Sequence, residues 1–346
     1  MIGTTLHYQL GLPTLCPIRE AVDAMANAGV ESRGAIFTRP EVVDFILDLV
    51  GYTSDRRLHE LRLLEPSFGG GDFLVPAVSR LLEAWRSAGA PNPVLTLGNA
   101  IRAVEVHADS VRTTKRALVE QLVAERIARP DAERLVAGWL VQDDFLLAEL
   151  PGNFDIVVGN PPYVRQELIP DALMAEYRAR YSTIFDRADI YVPFIERSLS
   201  LLSPGGKCGF ICSDRWTKNR YGGPLRALVA NGFHLAVYVD MVGTPAFHSE
   251  VVAYPAITVI TSDCGRKTRI ARRPSIDRDS LSRLAAELVS AADPTPETGV
   301  RELENVAHGS EPWILESSEQ LDLIRRIEAN FPLIEDVGCK VGIGVA

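Results

Sequence analysis

Four consecutive residues, Asn160, Pro161, Pro162 and Tyr163, carry the side chains whose types and order indicate chemistry most directly. They follow a short apolar stretch, residues 154–159, that has the pattern of a buried strand. Two adjacent prolines remove two backbone donors and fix φ twice, so the strand must end in a stiff, extended corner. That corner places an amide oxygen and a free carbonyl beside an aromatic ring. Such a pair of acceptors next to a stacking surface suits a planar amino group.

A glycine-rich turn lies upstream, where an apolar strand ending at Glu65 and Pro66 leads through Gly69 and Gly71 into a helix that starts near Phe73. Glycines in a strand-to-helix turn let the backbone pass close to a ligand and leave helix amides exposed to it. A tight connection in any doubly wound fold would have the same pattern, so both interpretations stay open here.

Acidic residues follow two further predicted strands. Glu105 ends the strand over 100–106, where nucleotide-binding folds place a carboxylate that accepts from ribose hydroxyls. Asp144 and Phe145 follow a strand over 138–142, where an acid and an aromatic ring could hold an adenine ring or could cap a turn. Three basic residues follow the strand that ends at Asp214: Arg215, Lys218 and Arg220. They could contact phosphates, or they could simply form a solvated surface.

Helical patterns alternate with short Val, Ile and Leu runs through most of the 346 residues, of which 47% are hydrophobic and 23% charged. This alternation predicts an α/β, Rossmann-like fold with a mostly parallel seven-stranded sheet and helices on both faces. The last two strands of the seven are joined by a loop, which predicts an antiparallel hairpin at the edge of the sheet. Thr38 is placed near the N-cap of a helix that has Pro40 in its first turn.

Changes in composition divide the chain into four predicted parts. Residues 1–33 form an N-terminal helical segment, 34–265 the catalytic domain and 266–310 a basic helical linker. Residues 311–346 are predicted to start a target-recognition domain that is truncated, with a helix over 317–329 and a final apolar strand.

The composition indicates the cellular compartment and the class of partner. Five scattered cysteines, an odd number, indicate a reducing compartment, and no segment has the length of a membrane span, so a cytoplasmic location without membrane contact is predicted. Cys208 and Cys212 have no matching pair elsewhere, and no metal site is predicted. A net charge of −9 counts against nucleic acid as a partner, although local clusters of positive charge decide binding.

Taken in order, the motifs over about residues 34–262 resemble the gamma-type adenine-specific DNA methyltransferases, the Taq-like and Eco57I-like catalytic domains of restriction-modification systems. The segments that carry the resemblance are Ala35 to Glu41, Glu65 to Leu74, Glu105, Asp144-Phe145, Asn160 to Tyr163, Asp189 to Phe194, and Phe247. The sequence departs from that pattern at Arg39, where a proline is common, and at Ser67-Phe68, where Ala-Cys is usual.

The resemblance implies S-adenosylmethionine as the cofactor. Its methionine part would be held by Glu65 and the glycine turn, its ribose by Glu105, and its adenine by Asp144 and Phe145, with Thr38 in the same pocket. Asn160 and Pro161 would accept the hydrogens of a flipped adenine's amino group. Tyr163 would stack on that base and Phe247 would cover its other face.

The implied function is site-specific methylation of adenine in double-stranded DNA, within a restriction-modification or phage-defence system. A restriction or specificity subunit, or a C-terminal recognition domain, would then be a partner, and the chain alone is expected to bind cofactor but to bind DNA weakly. One alternative is a methyltransferase acting on an RNA base or a protein glutamine amide. Another is a cofactor-binding or DNA-binding subunit without catalytic activity.

Overall fold

A computed structural model describes residues 16–27, 36–248, 254–295 and 299–315, together with scattered positions between 323 and 340. Most of the predicted strand at the end of the chain, residues 341–346, and most of the predicted helix over 317–329 lie outside the described residues. In the described part, no helix is long and apolar enough to cross a membrane.

The described strands are β1 Leu63–Glu65, β2 Ile101–Glu105, β3 Leu140–Gln142, β4 Phe154–Gly159, β5 Leu202–Ser213, β6 His234–Asp240, β7 Pro255–Thr261, β8 Lys267–Arg272 and β9 Arg301–Glu304. The helices are α1 Pro17–Ala26, α2 Pro40–Leu49, α3 Leu74–Ser87, α4 Pro93–Leu97, α5 Ala108–Ala124, α6 Arg129–Trp139, α7 Asp171–Arg180, α8 Tyr191–Ser200, α9 Arg215–Lys218, α10 Gly223–Gly232 and α11 Arg278–Val289. Short 3₁₀ helices span Leu58–Glu60, Gln166–Leu168 and Arg220–Gly222.

All nine described strands form one sheet in the order β3-β2-β1-β4-β5-β7-β6-β8-β9. The five strands from β3 to β5 are parallel, and β7 lies antiparallel between β5 and β6. Because the first five strands are parallel, the carboxyl ends of β1, β2, β3 and β4 meet at one edge of the sheet. The loops that carry the predicted site residues therefore start from the same edge.

Helices cover both faces of the sheet, as predicted. Leu63 packs in a core cluster with α2, α3, α5, α6 and α11, and its neighbour Leu64 packs in a second cluster with α7, α8 and α10. In β4, Ile156 belongs to the first cluster and Val157 to the second. This alternation is the period of two expected for a strand buried on both faces.

The sheet has nine strands, so the predicted number of seven is wrong. The antiparallel pairing of β6 with β7 is confirmed, but the pair lies inside the sheet and not at its edge, because β8 pairs with β6 and β9 pairs with β8. Both additional strands fall in the segment predicted as a basic linker.

The basic residues of β8 favoured the prediction of an exposed linker over that of a buried strand. Arg269 is only 7% exposed, because its guanidinium donates to the Glu287 carbonyl at 2.6 Å, the Ala292 carbonyl at 2.5 Å and the Glu302 carboxylate at 3.2 Å. A buried charge that is fully hydrogen-bonded is tolerated in a strand, although its residue type predicts exposure.

The helix after Thr38 starts at Pro40, as predicted, with Arg39 as its N-cap and no capping side chain. Thr38 has a different role. Its backbone forms an isolated antiparallel bridge with Phe247, and the Arg39 amide donates to the Ala246 carbonyl at 3.0 Å. The segment before α2 is thereby fixed to the chain that follows β6.

Candidate active site

The glycine turn lies between β1 and α3 and is closed by a carboxylate from the neighbouring strand. Gly69 and Gly71 have φ of +48° and +91°, which side chains rarely adopt. A Cβ at Gly71 would also lie 3.2 Å from methyl carbons of Thr114 and Val75. The Gly69 amide donates to Glu105 Oε2 at 2.8 Å, so this turn is shaped by both its own glycines and β2.

Glu105 ends β2 and is 6% exposed. Its second oxygen, Oε1, accepts from the His107 amide at 2.9 Å. Each carboxylate oxygen therefore has one backbone donor and keeps further lone pairs for a ligand. The role with ribose hydroxyls remains a prediction, and this geometry is compatible with it.

Glu65 ends β1 and is 2% exposed, and its Oε2 atom has no hydrogen-bond partner among the described residues. Burial, followed by repulsion from Asp72 and Glu105, raises the pKa of Glu65 well above its ordinary value. A buried acceptor without a partner is costly unless a ligand satisfies it. The cationic methionine part of S-adenosylmethionine is a ligand of that kind, so the residues present fit the implied cofactor.

Asp72 lies in the same turn and was not predicted as a site residue. Its Oδ2 accepts from the Thr38 amide at 2.9 Å, which joins the glycine turn to the segment before α2. Burial raises the pKa of Asp72, and the hydrogen bond from Thr38 opposes that rise. An acidic residue in a glycine turn was the only sequence signal for this role.

The side chain of Asn160 is fixed by its amide nitrogen. Nδ2 donates to the Ile36 carbonyl at 2.8 Å and to Thr38 Oγ1 at 3.2 Å. Because a carbonyl oxygen can only accept, the first bond determines which amide atom is the nitrogen.

The oxygen of the Asn160 side chain, Oδ1, is buried and has no partner in the described part of the chain. No described residue donates to the Pro161 carbonyl either. Two acceptors from adjacent residues are thus left without donors.

Neither Tyr163 nor Phe247 has a position that by itself indicates contact with a substrate. The Tyr163 ring lies 6.5 Å from the Tyr191 ring, centroid to centroid, and its buried hydroxyl has no described partner. Burial raises the pKa of Tyr163 well above its ordinary value. Phe247 is 7% exposed, and its ring packs in the first core cluster. The predicted contacts of both rings with a substrate base stay predictions.

At the other end of the site, Asp144 and Phe145 follow β3. The Phe145 ring lies 5.0 Å from the Phe194 ring, centroid to centroid, and the Arg197 guanidinium lies 5.0 Å from the centroid of Phe145. Asp144 accepts from the Leu146 amide at 2.7 Å and from the Tyr177 hydroxyl. Burial raises the pKa of Asp144. Tyr177 was not predicted as a site residue, because nothing in α7 distinguishes it from an ordinary core tyrosine.

One open cleft, with about 1080 Å³ of empty space when the open solvent at its mouth is included, joins these groups at the carboxyl edge of the sheet. The predicted site residues that line it are Glu65, Pro66, Gly69, Phe73, Glu105, Asp144, Phe145, Asn160 and Pro162. Those that do not line it are Thr38, Gly71, Pro161, Tyr163, Phe247, Arg215, Lys218 and Arg220. The structure thus gathers most of the predicted cofactor residues and two of the four predicted catalytic residues, Asn160 and Pro162, around a single space.

The three basic residues predicted to contact phosphates are exposed. The Arg215 guanidinium lies 4.9 Å from the centroid of the Tyr254 ring, and the Arg220 guanidinium lies 5.9 Å from that of Phe185. Lys218 forms an ion pair with Asp214 at 2.8 Å. Contact with DNA remains a prediction for all three.

Comparison with known proteins assigns the domain. Residues 95–247 match the family model described as the Eco57I restriction-modification methylase. The chain is 63% identical over 335 residues to the type II methyltransferase M.PaeR7I of Pseudomonas aeruginosa, and this match covers 96% of the chain and 58% of that protein. The chain contains an Eco57I-like restriction-modification methylase domain.

A second relative of the methylase domain is the type II methyltransferase M.XhoI of Xanthomonas vasicola, which is 52% identical over 91% of this chain and 59% of its own length. The chain therefore spans a little under three fifths of the length of these curated relatives.

Solved structures agree in fold. A putative class I S-adenosylmethionine-dependent methyltransferase of Listeria monocytogenes superposes with a TM-score of 0.53 at 14% identity, over 78% of this chain and 75% of that one. The M protein of the type I restriction enzyme EcoKI gives a TM-score of 0.57 at 12% identity, over 88% and 73%. The methylase domain thus has the class I fold, and S-adenosylmethionine is supported as its cofactor.

Proposed function

We propose that the chain is the catalytic part of a DNA methyltransferase of a restriction-modification system, and that it methylates the exocyclic amino group of adenine. The observation that carries this proposal is Asn160. Its amide nitrogen is held by two acceptors. Its amide oxygen, Oδ1, is buried with no donor among the described residues, next to the Pro161 carbonyl, to which no described residue donates either.

This geometry addresses the difficulty of the reaction. The lone pair of an adenine amino nitrogen is delocalised into the ring, so the amino group is a poor nucleophile. Two fixed acceptors that each take one amino hydrogen favour a tetrahedral nitrogen, whose lone pair is then localised and directed away from them. Acceptors that are already oriented before the reaction lower its barrier without further rearrangement.

Cofactor binding is proposed along the cleft. Glu65 and the glycine turn would hold the methionine part, Glu105 the ribose, and Asp144 with Phe145 the adenine ring. The cofactor supplies an electrophilic methyl group on its sulfonium. In this arrangement Asn160 lines the same cleft as Glu65, so Asn160 and the methionine end of the proposed cofactor site share a common space.

Adenine in DNA is the proposed substrate because of the names of the related proteins. The relatives M.PaeR7I and M.XhoI are named as type II methyltransferases, and PglX of Streptomyces coelicolor, 26% identical over 244 residues, is named as adenine-specific. A base inside a duplex cannot reach a cleft of this kind, so the adenine would have to rotate out of the stack. Double-stranded DNA is thus the proposed partner, together with a specificity or restriction subunit or a recognition domain.

The proposal is tested by single-turnover transfer of a tritiated methyl group, with the chain in excess over the acceptor so that weak binding does not hide the chemistry. Duplex DNA, RNA and a protein acceptor are compared, and labelled nucleosides are identified by chromatography. Label in N6-methyladenine from duplex DNA is expected. Label only in RNA, in protein or in cytosine would overturn the assignment, and no transfer despite cofactor binding would support a subunit without catalytic activity.

The role of Asn160 is tested with Asn160→Ala and a control, Asn153→Ala, which changes an exposed asparagine before β4. Removing one preorganised group that acts in the transition state typically costs about a hundredfold or more in rate. We expect that loss for Asn160→Ala, with cofactor affinity within about threefold of the wild type. Equal losses of transfer and cofactor affinity would contradict the role.

A further inference from the structure

Tyr177 lies on α7, in the segment between the Asn160 loop and α8. It is 1% exposed, and it packs in the second core cluster beside the adenine end of the cleft, which it also lines. Its hydroxyl donates to Asp144 Oδ2, while Asp144 Oδ1 accepts from the Leu146 amide at 2.7 Å. Asp144 is therefore held by one donor on each oxygen.

We propose that Tyr177 is a positioning residue for the cofactor. Its hydroxyl fixes the Asp144 carboxylate as an acceptor for the exocyclic amino group of the cofactor's adenine ring. This inference rests on the proposed function, since it assumes that Asp144 binds the adenine of S-adenosylmethionine. It adds a residue from a helix that none of the sequence motifs includes.

The physical reason is the burial of Asp144, which is 4% exposed. Burial raises its pKa, and the hydrogen bonds from Tyr177 and Leu146 oppose that rise. Without the hydroxyl, the carboxyl group would take up a proton at a higher pH. A protonated carboxyl keeps one acceptor oxygen but presents a donor on the other to an amino group that is itself a donor, so adenine binding would be weakened.

Other charged groups near Asp144 come from its own segment and from two helices. Asp143 raises the pKa of Asp144 and Arg197 of α8 lowers it. Burial raises the pKa of Tyr181, at the C-cap of α7, while Arg197 opposes that rise and Asp144 adds to it, and the Tyr181 hydroxyl donates to the Leu146 carbonyl at 2.5 Å. Tyr181 thus offers a control, a buried phenol that makes no hydrogen bond to Asp144. Its hydroxyl also accepts from Arg197 Nη1 at 3.1 Å, and Arg197 keeps the Ala148 carbonyl as an acceptor when that hydroxyl is removed.

The experiment measures binding of S-adenosylhomocysteine to the whole chain by calorimetry between about pH 6 and about pH 8.5, for the wild type, Tyr177→Phe and Tyr181→Phe. A hydrogen bond to a charged group is strong enough that its loss changes affinity by about tenfold or more. We expect Tyr177→Phe to bind about tenfold more weakly at the lower pH and within about threefold at the higher one. Tyr181→Phe should follow the wild-type pH profile.

A cofactor analogue with purine in place of adenine separates positioning from packing, because it lacks the amino group but keeps the ring. Tyr177→Phe should bind this analogue as the wild type does. Likewise, Tyr177→Phe should have no pH-dependent effect in an Asp144→Asn background, where no carboxyl group titrates. Other carboxylates in the cleft, such as Glu65, are present in all variants, so their contribution to the pH dependence of binding is the same on both sides of the comparison.

The outcomes distinguish the inference from the function on which it rests. Loss of affinity that is equal for both ligands, or equal at both pH values, would overturn the positioning role of Tyr177 and leave the proposed function intact. Failure of the wild-type chain to bind S-adenosylhomocysteine would overturn the proposed cofactor site and this inference together.

Discussion

The contact between Thr38 and Asn160 leads to a prediction that separates two roles for one hydroxyl. The family resemblance implies that Thr38 lines the cofactor pocket, whereas the structure places its Oγ1 3.2 Å from Asn160 Nδ2 and does not place Thr38 at the cleft. Thr38→Val keeps the shape of the side chain and removes only that acceptor. The Ile36 carbonyl, 2.8 Å from the same nitrogen, remains as the second acceptor.

The expected loss follows from the value of one neutral hydrogen bond. A bond worth about 0.5 to 1.5 kcal/mol corresponds to about a twofold to thirteenfold change in rate, since about 1.4 kcal/mol is a factor of ten. We therefore expect single-turnover methyl transfer to DNA to slow by that factor in Thr38→Val. The backbone contacts of Thr38 with Asp72 and Phe247 are unchanged, so cofactor affinity should stay within about twofold.

Thr38→Ser is the control, because it keeps the hydroxyl and should transfer methyl groups at close to the wild-type rate. The measurements are the single-turnover rate and the dissociation constant of S-adenosylhomocysteine for each variant. Weaker cofactor binding in Thr38→Val, in proportion to the slower transfer, would refute the reasoning and place the hydroxyl in the cofactor pocket.

Further predictions concern charge and packing. The raised pKa means that Glu65 keeps its proton in the folded protein at a pH where the unfolded chain has released it, so the cofactor-free protein loses stability as the pH rises. Glu65→Gln should therefore raise the Tm of the cofactor-free protein at about pH 8 and weaken cofactor binding. Gly209→Ala would place a Cβ 2.5 Å from Val50 Cγ1 and should lower the free energy of unfolding in urea by about 1 to 3 kcal/mol. Arg269→Met removes the guanidinium that bonds the part-buried Glu287 and Ala292 carbonyls and the Glu302 carboxylate, and it should cost about 3 kcal/mol in the same assay. If Arg220 contacts a phosphate, Arg220→Gln should reduce the slope of log affinity for DNA against log salt by about 1.

Three of these four changes, those at Glu65, Gly209 and Arg220, have a matched control elsewhere in the chain. Glu60→Gln alters an exposed carboxylate and should leave both Tm and cofactor affinity unchanged. A Cβ at Gly138 in α6 meets nothing within 4 Å, so Gly138→Ala should not destabilise the fold. Arg57 is exposed and precedes β1, at the opposite edge of the sheet from the site, so Arg57→Gln should leave the salt slope unchanged. Equal effects in a variant and its control would contradict the corresponding prediction.

Much of the site could be predicted because its signals are local. Positive φ at Gly69 and Gly71 requires glycine, so the turn is visible in the sequence. Likewise, adjacent prolines after an apolar strand are enough to predict a stiff corner at Asn160. Parallel strands bring their carboxyl ends together, which is why Glu65 at the end of β1 and Glu105 at the end of β2 line the same cleft.

Contacts between distant segments could not be predicted. The amide of Asn160 is oriented by Ile36, which is 124 residues away, and Asp144 is held by Tyr177, 33 residues away. No periodicity or spacing encodes which two segments pack together over such separations. The same limit explains the missed strands, because the burial of Arg269 depends on carbonyls that α11 and the chain after it bring close.

The sequence by itself therefore determined the chemical groups and their order. It indicated an acceptor pair at Asn160 and Pro161, a glycine turn, and acidic residues at strand ends, because each depends on backbone rules within a few residues. Only the tertiary structure decided that Asn160 Oδ1 and Glu65 Oε2 have no donor within the described part of the chain and that the Asp144 carboxylate has donors. Those facts depend on which donors packing brings within hydrogen-bond distance, and packing is a property of the whole fold.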